Sequence, residues 1–289
     1  MYPDFLGIGA QKAGTSWLYK NLIKHPDIWL PPIKELHYFN YKQYNYMQNP
    51  IDKVKDKRWR DLLFKKLNVN IRNGNLENLF WIRKYFFGNQ NDEWYASLFQ
   101  SHKKKVAGEI TPDYTALDES SVAHIYEIMP DVKIIFMLRN PIDRAWSYTF
   151  SHIKKDKKIL ESIPVEVLIK RCTSSYSRLR GNYKRTLEIW QSYYPEEQFF
   201  IGFFEEIAED PIDLLHRICD FLSINFLEEY INVVDKRKVY SFGNTGNIPN
   251  EVRLELARVY REEIRYLSMK YGSYANQWLV YADKYLTCS

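Results

Sequence analysis

Cysteine is scarce in this chain: Cys172, Cys219 and Cys288 are the only three in 289 residues, an odd number set far apart. That spacing supplies neither a disulfide framework nor a zinc site, and it points weakly to a reducing compartment. No run of eighteen apolar residues occurs, so no membrane span is expected. The opening Met1-Tyr2-Pro3-Asp4 leads straight into an apolar stretch, without the regions of a secretory leader. If Met1 is the native start, a cytoplasmic protein is expected. Internal repeats and low-complexity linkers are missing as well. Neither sign of charge dominates: 41 Lys and Arg against 36 Asp and Glu leave a formal +5. That is well short of a protein that coats nucleic acid, and it suits a small anionic ligand.

Apolar residues make up 45% of the chain, enough to bury a sizeable core and to exclude a disordered protein. Aromatic residues are plentiful, with 23 Tyr, 16 Phe and 8 Trp. Most must fill the core and its rim; the rest suit a cleft for planar rings.

Strand-like and helix-like stretches alternate. Residues 4–9 are a short apolar run, 105–110 (KVAGEI) read as a strand, and 132–138 (VKIIFML) and 199–204 (FFIGFF) are continuous apolar runs, as in central parallel strands. Helical spacing marks 16–24, 120–129, a segment from Pro141 to about His152, and 181–193. Asp210-Pro211 opens a further helix, and Pro249 opens the last long one, which Gly272 ends. Residues 26–40 contain three prolines and read as irregular or extended; 154–158 (KKDKK) read as a solvated loop. Strands alternating with helices imply a parallel sheet with helices on both faces. The whole chain, 1–289, reads as one domain interrupted by a less regular insertion at about 41–104. Within it, Asp52 to Lys66 carries seven positive and three negative side chains. A solvated helical face is the plain reading of such a run, and a wall of a substrate site is the other.

The most informative segment is Gly9-Ala10-Gln11-Lys12-Ala13-Gly14-Thr15-Ser16, between the first strand and the first helix. Gly9 and Gly14 have the spacing of a Walker A loop, which wraps backbone amides around a phosphate at the positive end of a helix. Thr15 stands where a nucleoside triphosphatase has its lysine, and Lys12 lies inside the loop instead. The strand 132–138 ends in Arg139, where such an enzyme needs an acidic magnesium ligand. Fixed positive charge therefore replaces a metal, which fits transfer of a group less charged than a γ-phosphate.

These residues, together with KELHYF (34–39), GEITPDY (108–114), LRNPIDRAWSYTFSH (138–152), GNYKRTLEIW (181–190) and EEQFFIGFFEEIAEDPIDLL (196–215), resemble the sulfotransferases that use 3′-phosphoadenosine 5′-phosphosulfate (PAPS). The resemblance is greatest to the carbohydrate, heparan-sulfate-like branch. It implies a P-loop-NTPase-like three-layer fold with a central parallel sheet, PAPS as donor and no metal. Sulfuryl transfer to a hydroxyl or amine, on a glycan for preference, would follow. A P-loop small-molecule kinase and a non-catalytic nucleotide-binding module are the alternatives. Neither nucleic acid nor a membrane span is implied. In that family the catalytic domain also occurs in the Golgi lumen, the expected location if the sequence is a trimmed piece.

Residue by residue, the resemblance assigns the 5′-phosphosulfate to Gln11, Lys12, Ala13, Gly14, Thr15 and Ser16, with Lys12 stabilising the bridging oxygen. It assigns the 3′-phosphate to Arg139 and Ser147, with Tyr183, Arg237 and Lys238 also on the nucleotide. Arginine suits a phosphate because its fork donates two parallel hydrogen bonds. Arg144 reads as structural. Glu35 is the family's base, and alternation along an extended segment puts His37 on the same side, a second proton handler. Glu109, at the end of a buried-looking strand, is the rival base. Lys34, Glu109, Asp113 and Tyr114 are expected to contact the acceptor. Residues 41–104 match no acceptor signature, so the insertion is expected to shape that site.

Overall fold

A computed structural model describes residues 1–43, 55–100, 106–153, 162–235 and 248–287. Five parallel strands form one sheet: β1 (Phe5–Gly9), β2 (Ile28–Trp29), β3 (Val106–Ile110), β4 (Lys133–Leu138) and β5 (Phe199–Phe203), in the spatial order β2-β3-β1-β4-β5. Helices flank it: α1 (Thr15–Leu22), α2 (Tyr38–Gln43), α3 (Lys57–Arg72), α4 (Leu76–Phe87), α5 (Asp92–Ser97), α6 (Glu119–Ile128), α7 (Pro141–His152), α8 (Val165–Cys172), α9 (Ser175–Gly181), α10 (Tyr183–Gln191), α11 (Glu206–Glu209), α12 (Pro211–Phe221), α13 (Glu228–Val233), α14 (Asn250–Tyr271) and α15 (Ser273–Thr287). The α/β class and the parallel sheet match the expectation from sequence. No helix among the described residues is long and apolar enough to cross a membrane.

The apolar runs become the buried centre of the sheet. Every residue of β1 is buried, and so are five of the six in β4. The helices start where capping chemistry says they should. Asn140 accepts from the amide of Ile142 at 3.0 Å with Pro141 in the first turn, and Asp210 accepts from Asp213 at 2.9 Å with Pro211 behind it. The chain leaves β1 for the edge strand β2, returns through β3, and then crosses β1 to reach β4. The carboxyl ends of β1 and β4 therefore meet at the point where the strand order switches, the usual place for a ligand crevice.

Three details differ from the sequence reading. The segment 26–40 is not wholly irregular: it contributes the edge strand β2 and the first turn of α2. The helix from Pro249 is followed by α15, whose Trp278 packs on Phe203 of β5. Helices α8 and α9 lie in a stretch with no assignment from sequence. The expected loop at 154–158 lies outside the described residues.

The described part of the insertion is three helices held by aromatic packing. Trp59 stacks on Tyr85 at 5.5 Å and Trp81 on Tyr85 at 5.1 Å. Tyr38 of α2 stacks on Tyr95 of α5 at 4.9 Å, which ties the insertion to the sheet side. The indole of Trp94 donates to the Lys84 carbonyl and that of Trp81 to Leu98, so both polar handles are satisfied.

Glu109 closes β3 as a buried carboxyl, 1% exposed. Tyr95 and Tyr114 both donate to its Oε1, at 2.9 and 2.6 Å. Burial raises its pKa more than these hydrogen bonds lower it, and leaves it at about 7. Below about pH 4.5 both folded and unfolded chains hold this proton, so there is no penalty. As the pH rises from there to about 7 the unfolded state ionises first, and stability is lost. Glu109→Gln should escape that loss. Urea unfolding at pH 4.5 and pH 8 should show wild type losing about 1–3 kcal/mol relative to the variant. A pH-independent difference would mean that Glu109 is already ionised when buried.

Candidate active site

The loop between β1 and α1 is shaped by one glycine. Gly14 has φ 86° and caps α1, and a Cβ there would lie 2.2 Å from Ile207 Cδ1. Backbone and space both demand glycine. The first amides of α1 therefore open at the carboxyl edge of the sheet, where an anion is favoured. Thr15 is buried in that first turn and Ser16 half-buried. Ala13 is fully buried, so only its backbone can face a ligand. Gln11 Nε2 reaches the Tyr176 hydroxyl at 3.5 Å, and its buried Oε1 has no protein partner among the described residues.

Arg139 fastens the end of β4 to this loop. Its Nη1 donates to the Lys12 carbonyl at 2.8 Å, and its guanidinium lies 4.3 Å from the Phe204 ring centre. Tyr183 is buried and donates to the Arg139 carbonyl at 3.0 Å. Its hydroxyl thus meets the backbone of the residue expected to hold the 3′-phosphate. Ser147 lies two turns into α7 and is buried. Arg144 is fully buried and donates to the carbonyl and hydroxyl of Ser177, which agrees with a structural part. Arg237 and Lys238 lie outside the described residues.

Lys12 sits with φ 72° in the loop. Burial lowers the pKa of its ammonium; Glu35 acts against that, and Arg139 and Lys34 push further down. Lys12, Lys34, Arg139 and Glu35 thus share one electrostatic neighbourhood. Glu35 and His37 are brought together as expected, but not by strand alternation. Both are in the left-handed region, φ 67° and 56°, and this twist folds the Glu35 carboxylate back to within 3.5 Å of His37 Nε2. His37 Nδ1 faces Asn40 Oδ1 at 3.3 Å. Asn40 Nδ2 donates to the Asp113 carbonyl, which fixes the amide's orientation. Both ring nitrogens therefore face acceptors, an arrangement that only an imidazolium satisfies. Burial opposes that charge, but Glu35, Asp113 and Asn40 outweigh it, and the His37 pKa is raised. Burial likewise raises Glu35, yet the hydrogen bond from His37 and the charge and hydrogen bond of Lys34 prevail and hold it at about 2.

The other expected acceptor contacts separate. Glu109 and Tyr114 are buried and bonded to each other. Asp113 is paired with Arg180, whose guanidinium stacks on Tyr176 at 3.4 Å. Arg180, Tyr176 and Asn40 thus belong to the site although the sequence did not single them out. Asn40 directly follows KELHYF, and that adjacency was the available signal; nothing local marks the other two. Beside Glu35 opens a cavity of about 380 Å³, lined by Lys34, Glu35, His37, Tyr41, Arg58 and Trp59 among others. Side chains of the insertion thus line this cavity, while the outward side of α3 is exposed.

Removing one cation should free the carboxylate. In Lys34→Met the Glu35 pKa should rise from about 2 toward its ordinary 4.5, followed by carboxyl-carbon NMR titration. An unchanged value would show that Lys34 does not hold it down.

With this geometry in view, the model of the sulfotransferase family matches residues 3–228. Carbohydrate sulfotransferase 15 of Mus musculus is 24% identical over 266 residues, covering 78% of this chain and 45% of that protein. Heparan sulfate glucosamine 3-O-sulfotransferase 6 of Homo sapiens is 28% identical over 167 residues, covering 56% and 48%. The chain spans less than half the length of these two curated relatives. The crystal structure of a sulfotransferase from Alicyclobacillus acidocaldarius superposes with a TM-score of 0.65 at 25% identity, covering 96% of this chain and 99% of that one. The chain belongs to the sulfotransferase family.

Proposed function

We propose that this protein transfers a sulfuryl group from PAPS to a hydroxyl or amine of an acceptor, and that the acceptor is a glycan. The observation that carries this reading is the loop at the start of α1, with Lys12 and Arg139 as fixed cations and Glu35 beside them. The residues fit such a donor. Gly14 keeps the mouth of α1 clear, the helix amides favour the 5′-phosphate, and the fork of Arg139 suits the 3′-phosphate together with Ser147. A kinase is disfavoured, because Thr15 replaces the usual lysine and Arg139 replaces the acidic end of β4.

Sulfur's bond to the bridging phosphate oxygen breaks as its bond to the acceptor oxygen forms. The acceptor's proton leaves for a carboxylate, and Lys12 stabilises the charge that develops on the departing phosphate. Glu35 is the base in this reading. It is ionised across the neutral range, held so by the charges and hydrogen bonds of His37 and Lys34. His37 acts as a charged positioning residue rather than a second base. The similarity to a carbohydrate sulfotransferase and to a heparan sulfate glucosamine 3-O-sulfotransferase favours a carbohydrate acceptor. The cavity beside Glu35, with Trp59 in its wall and Arg58 at its rim, suits a sugar face and an anionic substituent. We also propose that the chain is one domain, with residues 41–104 as the acceptor-shaping insertion.

Incubation with radiolabelled PAPS and a panel of glycans, lipids and phenols tests the activity and the acceptor class together. Glu35→Gln should leave nucleotide affinity nearly unchanged and lower turnover by at least about a hundredfold. Near-normal turnover in Glu35→Gln, with collapse in Glu109→Gln, would move the base to the end of β3.

A further inference from the structure

The hairpin formed by α3 and α4 has an outward face that the reaction does not use. Residues 55–87 hold nine Lys and Arg against three Asp and Glu, a net +6, so the rest of the chain together carries −1. The positive balance of the whole protein is concentrated here. The same face is unusually apolar. Phe64, Ile71, Leu76, Phe80 and Phe87 are each between 52% and 68% exposed, and they include every exposed phenylalanine among the described residues.

The placement is ordered. Phe64 and Ile71 lie two turns apart on α3; Leu76, Phe80, Arg83 and Phe87 form one stripe along α4. The opposite faces are the buried ones, with Trp59 and Asn70 on α3 and Trp81, Ile82, Tyr85 and Phe86 on α4. Asn78 Nδ2 donates to Asn70 Oδ1 at 3.0 Å, which holds the helices side by side after the turn at Gly74.

Clustered exposed apolar side chains mark a contact surface. The core of a protein–protein interface is depleted in lysine, whereas an interfacial membrane surface combines aromatic side chains with Lys and Arg. We propose that the α3–α4 hairpin docks on an anionic lipid bilayer. Phe64, Phe80 and Phe87 enter the boundary between headgroups and acyl chains, and Arg60, Lys65, Arg72 and Arg83 meet the anionic headgroups. This surface is distinct from the donor loop and from the cavity beside Glu35, and its test does not depend on catalysis.

Sedimentation with vesicles reads it directly. The protein should bind phosphatidylcholine vesicles holding about 30% phosphatidylserine at least about tenfold more tightly than pure phosphatidylcholine, and high salt should weaken that binding. Phe80→Ser/Phe87→Ser and, separately, Lys65→Glu/Arg72→Glu should each lower it about tenfold or more. All these side chains are exposed, so the variants should keep the wild-type circular dichroism and melting temperature. Absence of vesicle binding by the wild type would overturn the proposal, as would binding that both variants retain. A dimer in light scattering that Phe80→Ser/Phe87→Ser abolishes, without vesicle binding, would assign the face to a second copy instead.

Discussion

A hydrogen bond from Arg139 Nη1 to the carbonyl of Lys12 ties the side chain that follows β4 to the loop that leaves β1. It adds to the pairing of the two strand ends, where Ala10 N–H donates to the Met137 carbonyl at 2.7 Å. Because the strand order switches at β1, that junction is an open crevice rather than a packed layer. The ring of Phe204 beneath the guanidinium and the Tyr183 hydroxyl on the Arg139 carbonyl hold the arginine from two further sides. Ile207 and Phe204 crowd Gly14, so the loop has little freedom to take another shape. Preorganised charge of this kind needs no rearrangement when an anion arrives.

The second element is a short acidic–basic cluster on a twisted segment. Lys34, Glu35 and His37 are close in sequence, and two left-handed residues bring their charged ends together in space. The cluster settles the electrostatic state of the carboxylate: ionised, and restrained by two cations. Glu109 is the contrast. The same functional group, buried among Tyr95, Tyr114 and Thr111, holds its proton to near neutrality and serves the packing behind the cleft. The sequence offered both as candidate bases, and their environments give them different protonation states.

Much of this was legible in the sequence. The apolar runs gave the strands, the Asn140-Pro141 and Asp210-Pro211 pairs gave helix starts, and the glycine spacing gave the donor loop, because each rests on local chemistry. What escaped were contacts set by the tertiary arrangement. Arg180 reaches Asp113 across 67 residues, and no local signature marks that pair. A substrate-site wall was one of two readings for the charged run Asp52 to Lys66, and Trp59 within it lines the cavity beside Glu35. That the Tyr183 hydroxyl donates to the backbone of Arg139 is likewise seen only in the fold. The pairing of Glu35 with His37 was expected for the wrong geometric reason, since positive φ at both residues cannot be read from alternation.

The central claim is that fixed cations at the junction of β1 and β4 recognise a nucleotide phosphorylated at both its 5′ and 3′ ends. Calorimetry in EDTA, comparing adenosine 3′,5′-bisphosphate with AMP, tests it most directly. A charge-assisted hydrogen bond contributes roughly 1.5–3 kcal/mol, so the bisphosphate should bind at least about tenfold more tightly, and Arg139→Ala should erase most of that preference. Equal affinity for the two nucleotides in the wild type, or binding that requires magnesium, would contradict the account.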